Sequence, residues 1–281
     1  MDSIFGIVPD NRFPYDDIIG GDNIENIGFI GAGKCGMSLG HYFRSKGMSI
    51  VGFSSRHKTN IGFDFLDYND LINKSDIIFV TVTDTAISEV WNGLQKYDLH
   101  NKIICHCSGS LSSDIFVGAD KDMVCSVHPM LAFNSKHTSE ENVSNAYFTL
   151  EGGKTAVDRL SRILSKCSNN FRIIKKENKV LYHAAACFAS NFVVAVCEKA
   201  EELLSECGFD RQSAHDALTP LMSGNMENII NAGTRQAITG PAIRGDMITI
   251  QKHLDKLDDE TKDIYKGLTN IILDMKSEEH I

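Results

Sequence analysis

The sequence predicts an α/β fold in which a doubly wound sheet is followed by an all-α C-terminal domain. Short apolar strands alternate with helical segments over residues 25–175, a pattern typical of parallel sheets with helices on both faces. Past Lys175 the apolar residues recur with a helical period, and no strand pattern interrupts them. The predicted organisation is an N-terminal extension at 1–24, a sheet domain at 25–175 and an all-helical domain at 176–281.

The first predicted strand runs directly into a glycine-rich turn. The spacing G-x-G-x-x-G falls on Gly31, Gly33 and Gly36, which predicts, in that order, a tight turn, close approach of a pyrophosphate and close helix–strand packing. Phosphates at such a turn meet unpaired amides and the positive end of the helix dipole. We therefore predict a Rossmann dinucleotide site, with loop residues Gly31, Ala32, Gly33, Lys34, Cys35 and Gly36.

The end of the second strand indicates which dinucleotide is bound. A site that prefers NAD places an acidic residue here for the ribose 2′-hydroxyl. This chain instead has Ser54, Ser55, Arg56 and His57. A guanidinium beside hydroxyls suits a 2′-phosphate, because arginine donates two parallel charge-assisted hydrogen bonds. The predicted cofactor is NADP(H), and the alternative is an ordinary solvated arginine.

Three further strand ends contribute candidate residues. The run at 76–82 is almost wholly apolar, as expected for a central parallel strand, and its end adds Thr81, Val82 and Thr83 to the predicted cofactor site. The next strand ends at Ser108-Gly109-Ser110, and the one after it ends at His128-Pro129-Met130. We expect Ser108 near the nicotinamide. His128 is either a ligand contact or a loop residue fixed by its proline.

A long helix predicted at 178–207 carries polar residues within an alanine-rich face. His183, Cys187, Ser190 and Asn191 lie on one side of this helix at three- and four-residue spacing. The pKa range of His183 suits a proton donor to a developing alkoxide, and Asn191 can donate to the same oxygen while uncharged. The alternative is a core histidine with its hydrogen bonds satisfied inside the protein.

A loop at 239–246 separates two of the later predicted helices. Asp246 is expected to be the N-cap of the following helix. Arg244 is a candidate anchor for a substrate carboxylate, because a guanidinium pairs with carboxylates bidentately. A solvated or interface arginine is the alternative.

Taken together, these motifs resemble a known family. The segments that carry the resemblance are 27–36, 106–111, 127–130, 182–191 and 239–246, so both domains are covered. The chain resembles the Rossmann-like oxidoreductases whose helical C-terminal half is a domain of unknown function. More distantly it is similar to the 6-phosphogluconate dehydrogenase superfamily, including ketopantoate reductases and, through His128-Pro129-Met130, prephenate dehydrogenases. Cys187 stands where hydroxyacid dehydrogenases carry a helix lysine, four residues before Asn191, which directs attention to His183.

The resemblance implies an NADP-dependent oxidoreductase acting on CH–OH or C=O groups. The best single substrate is ketopantoate, reduced to pantoate for pantothenate biosynthesis. His183 protonates the alkoxide, Asn191 and Ser108 orient the carbonyl, and Arg244 holds the carboxylate, with Ser190, His128 and Asn228 as further substrate contacts. The alternatives are a prephenate-type oxidative dehydrogenase and a catalytically inactive NADP-binding regulator.

Composition narrows the partners and the compartment. The formal charge is −9 with both signs interspersed, which argues against nucleic acid and anionic membranes as partners. The apolar run at 184–197 is too short and too polar to span a bilayer, and residues 1–26 lack the layout of a signal peptide. The eight cysteines are scattered as in reduced cytoplasmic proteins, and their spacing predicts no metal site. A homodimer is expected, because the helical domain is short of a full core.

Overall fold

The computed structural model describes residues 25–56 and 62–277 of the chain. The predicted extension at 1–24 and His57 lie outside the described residues. The chain divides into two compact units, Met1–Ser190 and Asn191–Ile281. Each unit is described separately below.

The first unit contains a seven-stranded sheet with the order β2-β1-β3-β4-β5-β6-β7. All neighbouring strands are parallel except β5 and β6, which are antiparallel. The predicted doubly wound fold is confirmed, because the chain adds β2 on one side of β1 and then β3 on the other. The strands are β1 Asn26–Ile30, β2 Ser49–Ser54, β3 Ile77–Val80, β4 Ile103–His106, β5 Val124–Met130, β6 Tyr147–Gly152 and β7 Phe171–Ile173.

Helices cover both faces of this sheet. Alternate strand residues divide between two apolar clusters, one around Phe29 and Phe79 and one around Ile78 and Trp91. The Phe29 and Phe79 rings stack at 5.2 Å, and burial of each such side chain stabilises the fold by roughly 1.5–3 kcal/mol. The helices of this unit are α1 Lys34–Ser45, α2 Tyr68–Lys74, α3 Asp84–Leu94, α4 Glu140–Ser144, α5 Lys154–Lys166 and α6 Lys179–Ala189.

The sheet register brings the predicted strand ends to one edge. Ile30 is paired with Val80, Val80 with His106, and His106 with Ser126. The glycine turn, the loop after β4 and the last residues of β5 therefore follow one another along the carboxyl edge. This is the edge at which open α/β sheets bind ligands.

The structure divides the predicted helix at 178–207 in two. The backbone leaves the helical conformation at Ser190, where φ is −130° and ψ is −82°. The helix α6 belongs to the first unit, because its first turn buries Lys179 against the sheet loops. The boundary between compact units therefore falls after Ser190 rather than at the predicted 175/176.

All the regular secondary structure in the described part of the second unit is helical. Its helices are α7 Asn191–Glu206, α8 Arg211–Ala232, α9 Thr234–Ala237, α10 Pro241–Arg244, α11 Met247–Leu254 and α12 Asp259–Ser277. The predicted 239–246 loop contains the short α10. Asp246 caps α11 as predicted, because its carboxylate accepts from the backbone amide of Thr249 at 3.0 Å.

One apolar stretch extends across α6 and α7. Among the described residues, Lys176–Glu206 is long and apolar enough to cross a membrane by length and composition, with a hydropathy of 1.7. This stretch is longer than the apolar run at 184–197 that the sequence analysis identified. Length and composition are weak support for a membrane span, because core helices of soluble proteins meet the same criterion. This stretch is also broken at Ser190.

Candidate cofactor and catalytic site

The glycine turn after β1 is packed against the end of β3. Gly31 has φ +106°, and a Cβ there would lie 2.6 Å from the carbonyl oxygen of Thr81. A Cβ on Gly36 would lie 2.3 Å from Thr81 Oγ1. The Thr81 hydroxyl donates to the Gly31 carbonyl at 2.7 Å and so fixes the turn from below. These contacts give the tight turn and the close packing that the sequence predicts for Gly31 and Gly36.

The open side of the same turn fits a phosphate group. Gly33 is the N-cap of α1 and has no side chain to occupy the helix end. A Cβ on Gly33 would meet only the Thr81 carbonyl, at an ordinary 3.7 Å, so packing within the protein does not require glycine there. The first-turn amides of α1 have no side-chain cap, which leaves the helix end suited to an anion. The other predicted loop residues are Ala32, which is buried, Cys35, which is half-buried, and Lys34, which is exposed.

The end of β2 borders this turn. The backbone amide of Gly31 donates to the carbonyl oxygen of Ser54 at 2.9 Å. Ser54 is buried, Ser55 is half-buried and Arg56 is exposed. The guanidinium of Arg56 is thus accessible to a 2′-phosphate. At the end of β3, Val82 is half-buried and Thr83 is the N-cap of α3.

The loop after β4 is held by a buried histidine and by Asp84. The backbone amide of Ser108 donates to His106 Nδ1 at 3.1 Å, and His106 Nε2 lies 3.2 Å from the carbonyl oxygen of Ser112. His106 is therefore protonated on Nε2, and burial lowers its pKa to about 4. The Ser108 hydroxyl donates to Asp84 Oδ2 at 2.6 Å and accepts from the Leu111 amide at 3.1 Å. Its proton is thus directed at Asp84, at the start of α3, so the Ser108 hydroxyl offers no donor to a substrate carbonyl in this structure.

Lys179 is a site residue that the sequence reasoning missed. Its side chain is 1% exposed, and its ammonium donates to Ser126 Oγ at 2.5 Å and to the Ser108 carbonyl at 3.1 Å. Burial lowers the pKa of Lys179. The available signal was its spacing, because Lys179 stands four residues before His183 and so shares its helix face.

His183 and His128 are brought together above the same loop. Their rings lie 6.1 Å apart, at 89° to each other. A Cβ on Gly109 would lie 2.7 Å from His183 Nδ1 and 2.9 Å from His128 Nε2. His183 Nδ1 is buried without a hydrogen bond among the described residues, and His183 Nε2 lies 3.9 Å from Cys187 Sγ. Two imidazole nitrogens therefore face the Gly109 backbone at the carboxyl edge of the sheet.

The other predicted residues do not join this group in the first unit. The break at Ser190 removes the helical spacing that predicted Asn191 on the face of His183. The Ser190 hydroxyl donates to the Ala186 carbonyl at 2.7 Å within α6. Asn191, Asn228 and Arg244 belong to the second unit, where Asn228 lies on α8 and Arg244 ends α10.

The strand order and the glycine turn after β1 define a dinucleotide-binding protein of the Rossmann class. Residues 26–108 match the family described as "NADP oxidoreductase coenzyme F420-dependent", and residues 146–272 match a domain of unknown function, DUF2520. Together these two matches are consistent with the predicted family, Rossmann-like NADP oxidoreductases with a helical C-terminal domain of unknown function. The predicted cofactor, NADP(H), agrees with this family, whereas the role of Arg56 remains a prediction.

Solved structures share the fold over most of the chain. A Thermotoga maritima protein, TM1727, is 23% identical with a TM-score of 0.69, and the match covers 91% of this chain and all of that one. A proposed NADP oxidoreductase of Bacteroides fragilis is 24% identical with a TM-score of 0.67, over 89% of this chain and 98% of that one. Plasmodium falciparum pyrroline carboxylate reductase with NADP bound is 17% identical with a TM-score of 0.59, and the match covers 92% of this chain and all of that one. Among curated protein sequences, none matches this chain.

Proposed function

We propose that this protein is an NADPH-dependent reductase of a small 2-keto acid, with ketopantoate as the first substrate to test. The observation that carries the proposal is the pair of imidazole nitrogens facing Gly109, at the sheet edge where the glycine turn also lies. Reduction of a carbonyl needs a hydride and a proton, and NADPH supplies the hydride when bound. A histidine at this edge suits the second requirement.

The proposed roles follow from the positions of the side chains. His183 gives a proton to the carbonyl oxygen as the alkoxide forms, and solvent then reprotonates the imidazole. Ser108 shapes the loop beneath the carbonyl, since Asp84 holds its hydroxyl proton. His128 and Ser190 are proposed as further substrate contacts, and the roles of Asn191, Asn228 and Arg244, which belong to the second unit, remain predictions from the sequence.

The names of structural neighbours add a second class of substrate. Two of them are a pyrroline carboxylate reductase and an imine reductase, so a C=N group is the other bond to test. The experiment follows NADPH absorbance with ketopantoate, pyruvate, phenylpyruvate and a cyclic imine carboxylate. Oxidation with a keto acid supports the proposal. Oxidation with the imine alone replaces its substrate class, and NADPH binding without turnover on any of them favours a regulator.

A variant pair tests the role of His183. His183→Ala is expected to lower kcat by roughly 100-fold, the usual scale for loss of a general acid, while the Kd for NADPH stays unchanged. His100→Ala is the matched control, because His100 is exposed in the loop before β4, at the opposite sheet edge. Wild-type turnover in His183→Ala would show that another group protonates the product.

We also propose that the protein is a homodimer. In the described part of the second unit, the buried residues are only Ala214, Ala242, Ile250 and Thr261. Large apolar side chains remain exposed on several of its helices, among them Val194 at 70% and Ile230 at 74%. So much exposed apolar surface is typical of an interface, and a second copy offers the same surface in return. A cytoplasmic location remains a prediction from composition.

A further inference from the structure

Tyr182 and His128 form a fixed pair across the join between α6 and β5. The phenol oxygen lies 2.7 Å from His128 Nδ1. The two rings are nearly perpendicular, at 87°, with centroids 5.5 Å apart. His128 belongs to a strand in the interior of the sheet and Tyr182 to the first turns of α6, so both backbones are held. The ring of His128 therefore has one defined orientation.

The chemistry of the pair selects one tautomer of His128. A phenol is a stronger acid than the N–H of an uncharged imidazole, so the Tyr182 hydroxyl donates a hydrogen bond to Nδ1. Thr149 is opposite His128 in the β5–β6 register, and a hydrogen bond from its hydroxyl to the phenol oxygen acts to lower the pKa of Tyr182, against the larger, raising effect of burial. The phenol proton thus remains directed at His128. With Nδ1 accepting, the imidazole proton resides on Nε2.

His128 Nε2 faces the Gly109 backbone, where His183 Nδ1 also points. The positions are close enough that any side chain at residue 109 would collide with both nitrogens, at 2.7 and 2.9 Å. The loop that carries Gly109 is fixed from below by His106 and from the side by Asp84. The two nitrogens are therefore held beside one point of the backbone rather than beside a movable side chain.

Burial and the surrounding charges keep His128 uncharged. Burial is the largest cause, followed by the Lys179 ammonium and the His183 imidazole, and together they lower the pKa of His128 to about 4. Asp84 acts in the opposite direction and His106 in the same direction, both with smaller effect. At neutral pH His128 can thus donate a hydrogen bond through Nε2 but cannot deliver a proton as an imidazolium.

We propose that Tyr182 is a positioning residue that fixes the tautomer of His128, so that His128 Nε2–H donates a hydrogen bond to the reacting oxygen of the substrate. This inference rests on the proposed function. The carbonyl carbon accepts the hydride, the oxygen accepts a proton from His183, and no bond of His128 breaks. His128 stabilises the developing negative charge on the oxygen in the manner of an oxyanion hole. His128 is thus the hydrogen-bond donor and His183 the proton donor.

Nitrogen-15 NMR of histidine-labelled protein tests the tautomer without any substrate. The signals of His128 are assigned by their loss in His128→Gln. In the wild type at neutral pH, the coupling pattern of His128 is expected to show a protonated Nε2 and an unprotonated Nδ1. In Tyr182→Phe the two tautomers are expected to mix. Tyr97→Phe is the matched control, because Tyr97 lies near the opposite edge of the sheet, and it should leave the His128 signals unchanged.

Kinetics on the substrate identified above test the consequence. Tyr182→Phe is expected to lower kcat by about 10-fold while the KM for the keto acid and the Kd for NADPH change little, because the lost interaction forms in the transition state. The fluorescence of Trp91, the one tryptophan in the chain, verifies that the first unit remains folded. A folded Tyr182→Phe protein with wild-type kcat would overturn the role in catalysis.

The two measurements separate this inference from the proposed function. If no substrate is turned over, the NMR result still decides whether Tyr182 sets the tautomer. A wild-type His128 that carries its proton on Nδ1, or both protons at neutral pH, overturns the inference even if the enzyme is active. A His128 tautomer that is unchanged in Tyr182→Phe overturns it as well.

Discussion

The ammonium of Lys179 lies 3.1 Å from the carbonyl oxygen of Ser108, which joins the first turn of α6 to the loop after β4. The same ammonium donates to Ser126 on β5. One buried cation therefore holds together three elements that carry candidate site residues. It also lies close enough to His128 to oppose protonation of that imidazole.

Replacement of Lys179 should change the titration of His128. Lys179→Met removes the ammonium, so the pKa of His128 is expected to rise from about 4 toward its ordinary value. Lys179→Arg keeps the charge and is the control, in which the pKa should stay low. Histidine NMR over a pH series measures both variants. An equally low pKa in Lys179→Met would mean that burial alone sets the titration of His128.

Alanine at Gly33 and at Gly36 should have different effects. Gly33→Ala is expected to leave stability unchanged and to weaken NADPH binding about 10-fold or more, equal to at least 1.4 kcal/mol, since its methyl group would occupy the phosphate side of the turn. Gly36→Ala should also destabilise the first unit by roughly 1–3 kcal/mol through its clash with Thr81. Urea unfolding and NADPH titration measure the two effects. Gly93→Ala, where the methyl group meets only ordinary contacts, is the control.

Arg56→Ala tests the choice between NADPH and NADH. Loss of the guanidinium should weaken NADPH binding by about 10-fold or more and NADH binding little, because only NADPH carries the 2′-phosphate. Isothermal titration with both cofactors measures the difference. Equal loss for the two cofactors would assign Arg56 a general role at this edge, and no loss for either would leave it a solvated side chain.

Acid should destabilise the first unit through its buried histidines. His106 and His128 have pKa values of about 4 when folded, so unfolding takes up protons between about pH 6.5 and pH 4. Stability is therefore constant above this window and falls as the pH decreases through it, by about 3 kcal/mol for His106. Urea unfolding followed by Trp91 fluorescence measures the slope. In His106→Asn the number of protons taken up on unfolding should fall by about one, whereas His100→Ala, at an exposed histidine, should leave it unchanged.

The dimer is tested by its mass in solution. Light scattering after size exclusion is expected to give twice the chain mass for the wild type. A double variant, Val194→Asp with Ile230→Asp, places charges on the exposed apolar surface and should shift the protein toward monomer. Ser223→Asp, on an exposed residue that is already polar, is the control. A wild-type monomer at micromolar concentration would contradict the homodimer.

The sequence was sufficient to predict the fold and the glycine turn. The strands are short apolar runs at regular intervals, and the turn follows the first of them in a fixed spacing, so both depend on residues close together in the chain. The N-cap role of Asp246 was predicted for the same reason, since it needs only the three residues that follow. Features of this kind depend on neighbouring residues and not on long-range contacts, so they can be predicted from the sequence.

The break at Ser190 could not be predicted in this way. Residues 178–207 carry an unbroken helical period, which outweighs the preference of serine, as at Ser190, for the position just before a helix. The predicted face shared by His183 and Asn191 depended on an unbroken helix, so their joint role stays a prediction. Periodicity describes which residues would share a face, but it does not show where a helix stops.

The sequence by itself determined the class of fold, the position of the dinucleotide turn and the presence of histidines near the strand ends. Tertiary structure alone decided which of these residues act together. Lys179, Ser126 and Ser108 are far apart in the chain, and only the sheet register and the packing of α6 bring them into hydrogen-bonding distance. The same packing sets the tautomer of His128 and its low pKa. Burial and distance are properties of the folded chain, and they determine its chemistry.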